Sequence, residues 1–235
     1  LEQFATGPLN WQFKLDLLLA GEGYTYQADL ALDLTDTELV LPAPLAKPAG
    51  QTGTVFWSSS GSQDNSVIAL TYQDLVFFDA SYLHAQGQIG RAHLSLGSKE
   101  NAGFADGFTI SADLDKTDFM PWFDLIRQQV SQQSDDTGLL PALTSVKAKV
   151  NTLTVTEDIR FDQVQLQLKP QQDAWVVDIN SSQTKGQLTL AKDLMAQGIA
   201  ANLEFLQLFP YDPVKAEAEA LAAAESLAKL TKEQQ

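Results

Sequence analysis

Between Trp11 and Leu34 apolar and polar residues alternate almost without interruption. Trp11, Phe13, Leu15, Leu17 and Leu19 fall on one side of an extended segment, opposite Gln12, Lys14 and Asp16. After "AGEG" the pattern resumes with Tyr24, Tyr26, Ala28, Leu30, Leu32 and Leu34, opposed by Thr25, Gln27, Asp29 and Asp33. Period two is the signature of a strand with one apolar face, and two such runs around a Gly-containing turn predict a hairpin. Strands of eleven residues would be about 36 Å long, roughly twice the usual length. The alternation then meets "LPAPLAKPAG" (41–50), where prolines and a glycine cannot extend a ladder and suit an edge or a corner.

Further runs follow at 54–57, 66–72, 74–79, 91–96 and 107–115, then at 146–150, 153–155, 159–161, 164–169, 175–179, 186–190 and 202–209. "SSSGSQDN" (58–65) reads as a hairpin connection, and "DLVFFD" (74–79) as a strand covered on both faces. The fold class is therefore mainly β. Long antiparallel, meander-like sheets are expected, folded over or sandwich-like around an apolar inner face.

Two helices interrupt the strands. Over 118–130, Phe119, Phe123, Ile126 and Val130 make one apolar stripe, with Asp118 or Thr117 placed as the cap. At the C-terminus an Ala-rich helix is predicted over 213–233, with Asp212 as cap and Pro213 in its first position. The organisation reads as a β-rich slab over 1–210 and a helix over 211–235. Within the slab, "VFFDASYLHAQGQI" and "WVVDINSSQTKGQL" align Asp79 with Asp178 and Gly87-Gln88 with Gly186-Gln187, suggesting repeated halves near 1–130 and 139–210.

Composition narrows the chemistry. The formal charge is −15, from 15 basic and 30 acidic residues in a chain of 235, which disfavours a nucleic-acid partner. With no cysteine there is no disulfide framework, thiolate zinc site or thiol nucleophile. "LEQFATGPLNWQF" opens polar and strand-like, so the chain reads as an interior fragment of a longer protein. His84 and His93 are the sole histidines and read as surface strand residues. Asp29 and Asp33 read as part of a solvated strand face rather than as an acid–base pair. No nucleophile elbow, P-loop or metalloprotease helix is present. The expectation is a protein that is not an enzyme and carries no cofactor or metal.

What remains is the apolar face. It serves either as a sealed core or as the lining of an open groove for acyl chains, and periodicity alone does not separate the two. The groove candidates are Leu15, Leu17, Leu19, Leu30, Leu32, Leu34, Leu166, Leu168, Val177, Ile179, Leu188 and Leu190. If they line a groove, Asp at Leu32 or Leu166 would block lipid passage and leave folding largely intact.

Three stretches carry a resemblance. "LVLPAPLAKPAG" (39–50), "ADLDKTDFMPWFDLI" (112–126) and "DQVQLQLKPQQDAWVVDINSSQTKGQLTL" (162–190) resemble, in order and spacing, segments of the large bacterial AsmA-like proteins of the YhdP branch, relatives of TamB. The resemblance covers most of residues 30–208. It implies an internal segment of a long periplasmic protein held in the inner membrane by a helix outside this sequence. The body of such a protein is a folded-over sheet with an apolar groove carrying phospholipid towards the outer membrane. The implied partners are phospholipid and the remainder of the parent chain. The competing reading is a closed β-sandwich that serves as a structural or protein-binding module.

Overall fold

The structure, a computed structural model, describes residues 4–21, 23–99, 106–132, 140–171, 174–191 and 198–208. The helix expected over 213–233 lies outside these residues. Chain order is β1 (Ala5–Thr6), β2 (Asn10–Ala20), β3 (Gly23–Asp33), β4 (Glu38–Leu39), β5 (Thr54–Ser62), β6 (Asn65–Tyr72), β7 (Val76–Leu83), β8 (Gln88–Leu96) and β9 (Gly107–Asp118). Then come α1 (Phe119–Gln132), β10 (Leu143–Thr156), β11 (Ile159–Pro170), β12 (Ala174–Asn180), β13 (Thr184–Ala191) and β14 (Ile199–Leu206). Strands β1 and β4 pair with each other; the remaining twelve form one sheet, ordered β14-β13-β12-β11-β10-β9-β8-β7-β6-β5-β3-β2.

The mainly β fold and the long first hairpin are as the alternation predicts, but the sheet is mixed. Strand β9 runs parallel to both β8 and β10. Parallel neighbours need a crossover instead of a tight turn, and α1 lies in the second of these connections. Two further differences concern strand length. The serines at 58–62 belong to β5 rather than to a loop, pairing through Ser59 with Ile68 and through Gly61 with Ser66. The short runs at 146–150 and 153–155 are one strand, as are those at 159–161 and 164–169. Their ladder skips Asn151 and Gln163, and Gln163 takes φ of 54°. The interruption shifts the apolar positions from Val150 and Val164 to Leu153 and Phe161, which explains why the sequence pattern breaks there.

The tightest packing lies around Leu96, Leu114, Val150, Leu153 and Val164, with Leu45 and Trp122 laid against them. Leu45 comes from the proline-rich break and Trp122 from α1, so those two segments meet over one end of the strands. The break is tied to itself as well: Leu39 and Lys47 exchange backbone hydrogen bonds of 2.7 and 3.1 Å. Lys47 is 2% exposed. Its ammonium donates to the carbonyl oxygens of Gln51 at 2.8 Å and Pro48 at 3.0 Å. A second, smaller cluster holds Ala80, Ile89 and Ala92, with Ile68, Phe78, Tyr82 and Phe108 around it.

Candidate functional site

The register of the large sheet aligns apolar residues into continuous rows. One row takes a residue from each of the twelve strands by direct pairing: Trp11, Leu32, Val55, Tyr72, Val76, Leu96, Ala112, Ala148, Leu166, Ile179, Gly186 and Leu203. The next row, two residues along each strand, runs Phe13, Leu30, Trp57, Leu70, Phe78, Leu94, Ile110, Val146, Leu168, Val177, Leu188 and Ala201. Apart from the Tyr72 phenol and the indole N–H groups of Trp11 and Trp57, neither row contains a polar side-chain group. Between them, on the opposite face, the row runs Gln12, Ala31, Phe56, Thr71, Phe77, Ser95, Ser111, Lys147, Gln167, Asp178, Gln187 and Asn202. Because side chains alternate across a strand, the sheet has one apolar face along its whole width and an opposite face that is mainly polar but carries Phe56 and Val67, 57% and 58% exposed, on β5 and β6. At about 4.8 Å per strand, that width is about 53 Å.

Most of the apolar face is half-buried. On β2, Leu15, Leu17 and Leu19 are 54%, 56% and 74% exposed. Of the residues named from sequence, Leu30, Leu32, Leu166, Leu168, Val177, Ile179 and Leu188 stand in the two rows. Leu15 is paired with Ala28, Leu17 with Tyr26, Leu19 with Tyr24, and Leu190 with Trp175 and Ile199. Leu34 lies beyond the end of β3 and is buried, as is Val177. Leu166 packs against the main core cluster, so an Asp there would disturb folding as well as the face. Sequence reasoning left the middle of the face unassigned, namely Trp57, Leu70, Phe78, Leu94, Ile110 and Val146. Each alternates locally, but only the register through β9 joins them to the two ends.

At the turn end of β3, β5, β6 and β7 the apolar rows give way to a polar band. The Tyr26 hydroxyl bonds Ser59 Oγ at 2.9 Å and also meets Ser66 Oγ. It reaches two strands over because the residue between Tyr26 and Ser66 in the row is Gly61. Ser66 Oγ in turn bonds His84 Nε2 at 2.7 Å, and the His84 ring meets Tyr82 edge-on at 5.4 Å. His84 is thus a half-buried member of this band rather than a surface residue. His93 belongs to the other face, between Thr109 Oγ1 at 2.7 Å, Ser95 Oγ at 2.9 Å and Ser111 Oγ at 3.1 Å.

Two shallow depressions mark the polar face. The larger, about 890 Å³, includes Lys147, Lys149, Gln165, Gln167 and Asp178 in its lining; the smaller, about 480 Å³, includes Gln12, Lys14, Asp29 and Ser58. Burial raises the Tyr72 phenol above its usual value, and the other shifts fall on exposed pairs. Hydrogen bonding to Asp16, at 2.6 Å, raises the Lys14 ammonium above its usual value. The Thr35 hydroxyl and then its N–H hold the Asp33 carboxyl low. Among the described residues no group of three His, Asp or Glu side chains is placed to hold a metal ion.

The YhdP protein family matches residues 1–234. The chain belongs to the YhdP family. No curated protein and no solved structure matches it significantly. The family assignment agrees with the resemblance carried by the Pro-rich break, the β9–α1 step and the β11–β13 segment of this YhdP-family chain. No helix among its described residues is long and apolar enough to cross a membrane.

Proposed function

We propose that this YhdP-family chain is a segment of a periplasmic lipid-transfer conduit, whose apolar β face holds phospholipid acyl chains between the inner and outer membranes. In this reading the parent protein is anchored in the inner membrane by a segment outside this sequence. The observation that carries the proposal is the pair of apolar rows crossing all twelve strands. A sheet that needed only a core could tolerate polar residues at its edges, whereas these rows remain apolar at β2, an edge strand among the described residues. Each buried CH₂ is worth about 0.8 kcal/mol, so a 16-carbon tail gains on the order of 12 kcal/mol before losses. That is ample without any charged contact, although a formal charge of −15 opposes an anionic headgroup that does not stay in solvent. The role is one of binding and conduction, with no bond made or broken.

The test is mass spectrometry of an organic extract of the chain, purified without detergent and then offered phosphatidylcholine vesicles. Co-purifying or captured phospholipid at a reproducible ratio is expected. A clean extract in both preparations would remove the acyl-chain reading and leave the face as a structural core.

A further inference from the structure

The apolar rows have a measurable length along the strands, and a different chemistry begins where they stop. From Leu32 to Ala28, across three successive positions on one face of β3, the distance is roughly 14 Å. The acyl chains of one membrane leaflet occupy about half of a 30 Å hydrocarbon core, so about 15 Å. The next residue on that face is Tyr26, the centre of the hydroxyl–imidazole band. Tyr24 follows it, with the two rings 6.4 Å apart.

The band offers donors, and its row carries no carboxylate; Asp64, whose carbonyl oxygen accepts the His84 backbone N–H at 3.1 Å, stands in the adjoining turn. Its row across β2 to β8 is Leu17, Tyr26, Gly61, Ser66, Tyr82 and Ile89. Ser59 and Ser66 are buried and satisfied within the band. Among the described residues, the phenols of Tyr24 and Tyr82 and the Nδ1 of His84 make no hydrogen bond, and His84 and Tyr82 are half-buried beside one another. Amphipathic rings with one polar tip are suited to the boundary between hydrocarbon and headgroup.

Resting on the acyl-chain reading above, we propose that this band is where the phosphate of a glycerophospholipid sits while its tails lie along the strands. The phosphate oxygens accept hydrogen bonds from Tyr24, Tyr82 and His84, and the tails cover the three apolar positions towards Leu32. The opposite orientation would place the phosphate at the end where Leu34 is buried, Leu45 and Trp122 pack on the core, and the buried Lys47 ammonium is already held by the Gln51 and Pro48 carbonyls.

The test uses the whole chain with two photoreactive phosphatidylcholines in phosphatidylcholine vesicles, one with its diazirine on the headgroup and one at the tail end. Headgroup crosslinks are expected on Tyr24, Tyr82 or His84, and tail crosslinks on Leu32, Val55 or Val76. Tail labelling with headgroup labels elsewhere overturns this inference alone; no labelling by either probe overturns the acyl-chain reading and this inference with it. A Tyr82→Phe, His84→Phe double variant should retain phosphatidylcholine on the order of tenfold less well while diacylglycerol of the same chains is held as before. Equal loss of both lipids counts against a phosphate contact. Inorganic phosphate alone should leave headgroup labelling unchanged; displacement would assign the band to free phosphate.

Discussion

Trp122 donates its indole N–H to the carbonyl oxygen of Ala43 at 3.1 Å, across 79 residues of sequence. The same carbonyl accepts the Thr117 hydroxyl at 2.8 Å, and Trp122 Nε1 also lies 2.9 Å from Thr117 Oγ1. The proline-rich break is therefore clasped to the start of α1 while Leu45 and the indole pack on one cluster. Trp122→Phe keeps most of the packing and loses the indole bonds, so it should cost about 1 kcal/mol in urea unfolding. An unchanged midpoint would mean that the clasp contributes nothing.

Lys47 is held by backbone carbonyls rather than by a carboxylate. Replacing it with Met preserves the stem and leaves Gln51 and Pro48 oxygens without their donor. A loss of about 2 kcal/mol is expected, read as a shift in the urea midpoint with unchanged slope.

The two ends of the apolar face should respond differently to charge. Leu15 is 54% exposed on β2, an edge strand among the described residues, so Leu15→Asp should change stability by no more than about 0.5 kcal/mol while reducing lipid capture from vesicles. Leu166 packs on the main cluster, and Leu166→Asp should cost about 3 kcal/mol or more because a carboxylate is buried unpaired. Lipid capture and thermal unfolding measured on both variants separate surface from core.

Gly97 follows β8 with φ of 83°, and its N–H donates to the Leu75 carbonyl at 2.7 Å. A Cβ there would lie 1.9 Å from the Asp113 carbonyl oxygen. Gly97→Ala should cost more than about 2 kcal/mol, by backbone strain and by displacing β9, as read by chemical denaturation.

The Asp33 carboxyl is held below its ordinary value of 3.8 by the Thr35 hydroxyl at 2.6 Å and then by the Thr35 N–H at 2.9 Å. A folded-state value below the unfolded one favours the native state above the unfolded value, and that contribution disappears as pH falls through the folded value. Thr35→Val should therefore lower the urea midpoint at about pH 7 and make little difference at about pH 2.

Much of this architecture was legible because it rests on period two. The first hairpin, the strands around Leu166, Val177 and Leu188, and the Phe119–Phe123 stripe of α1, whose rings stack at 5.7 Å, all follow from spacing. The direction of β9 was not legible, because alternation reads the same whichever way a strand runs. Nor were the serines of β5, whose small side chains matter only beside Tyr26, a partner 33 residues away. Of the two cap candidates, Asp118 directly precedes Phe119, the first residue of α1, while Thr117 bonds Ala43 and Trp122. The two related segments both form hairpins, but Gly87 turns between β7 and β8 with φ of 64°, whereas Gly186 sits inside β13 opposite Ile179. That similarity is one of composition more than of position.

The clasp of Leu45 and Trp122 has a consequence for movement. It obstructs one end of the strands, so a chain lying along them has no through-path in that direction. On the acyl-chain reading proposed above, travel would then be sideways, from strand to strand, with the two apolar rows serving as rails. Each step of about 4.8 Å exchanges one contact for the next along rows that range from Trp11 and Trp57 to Ala148 and Gly186. On that reading the face holds its cargo by area spread over many strands, and no single position fixes it.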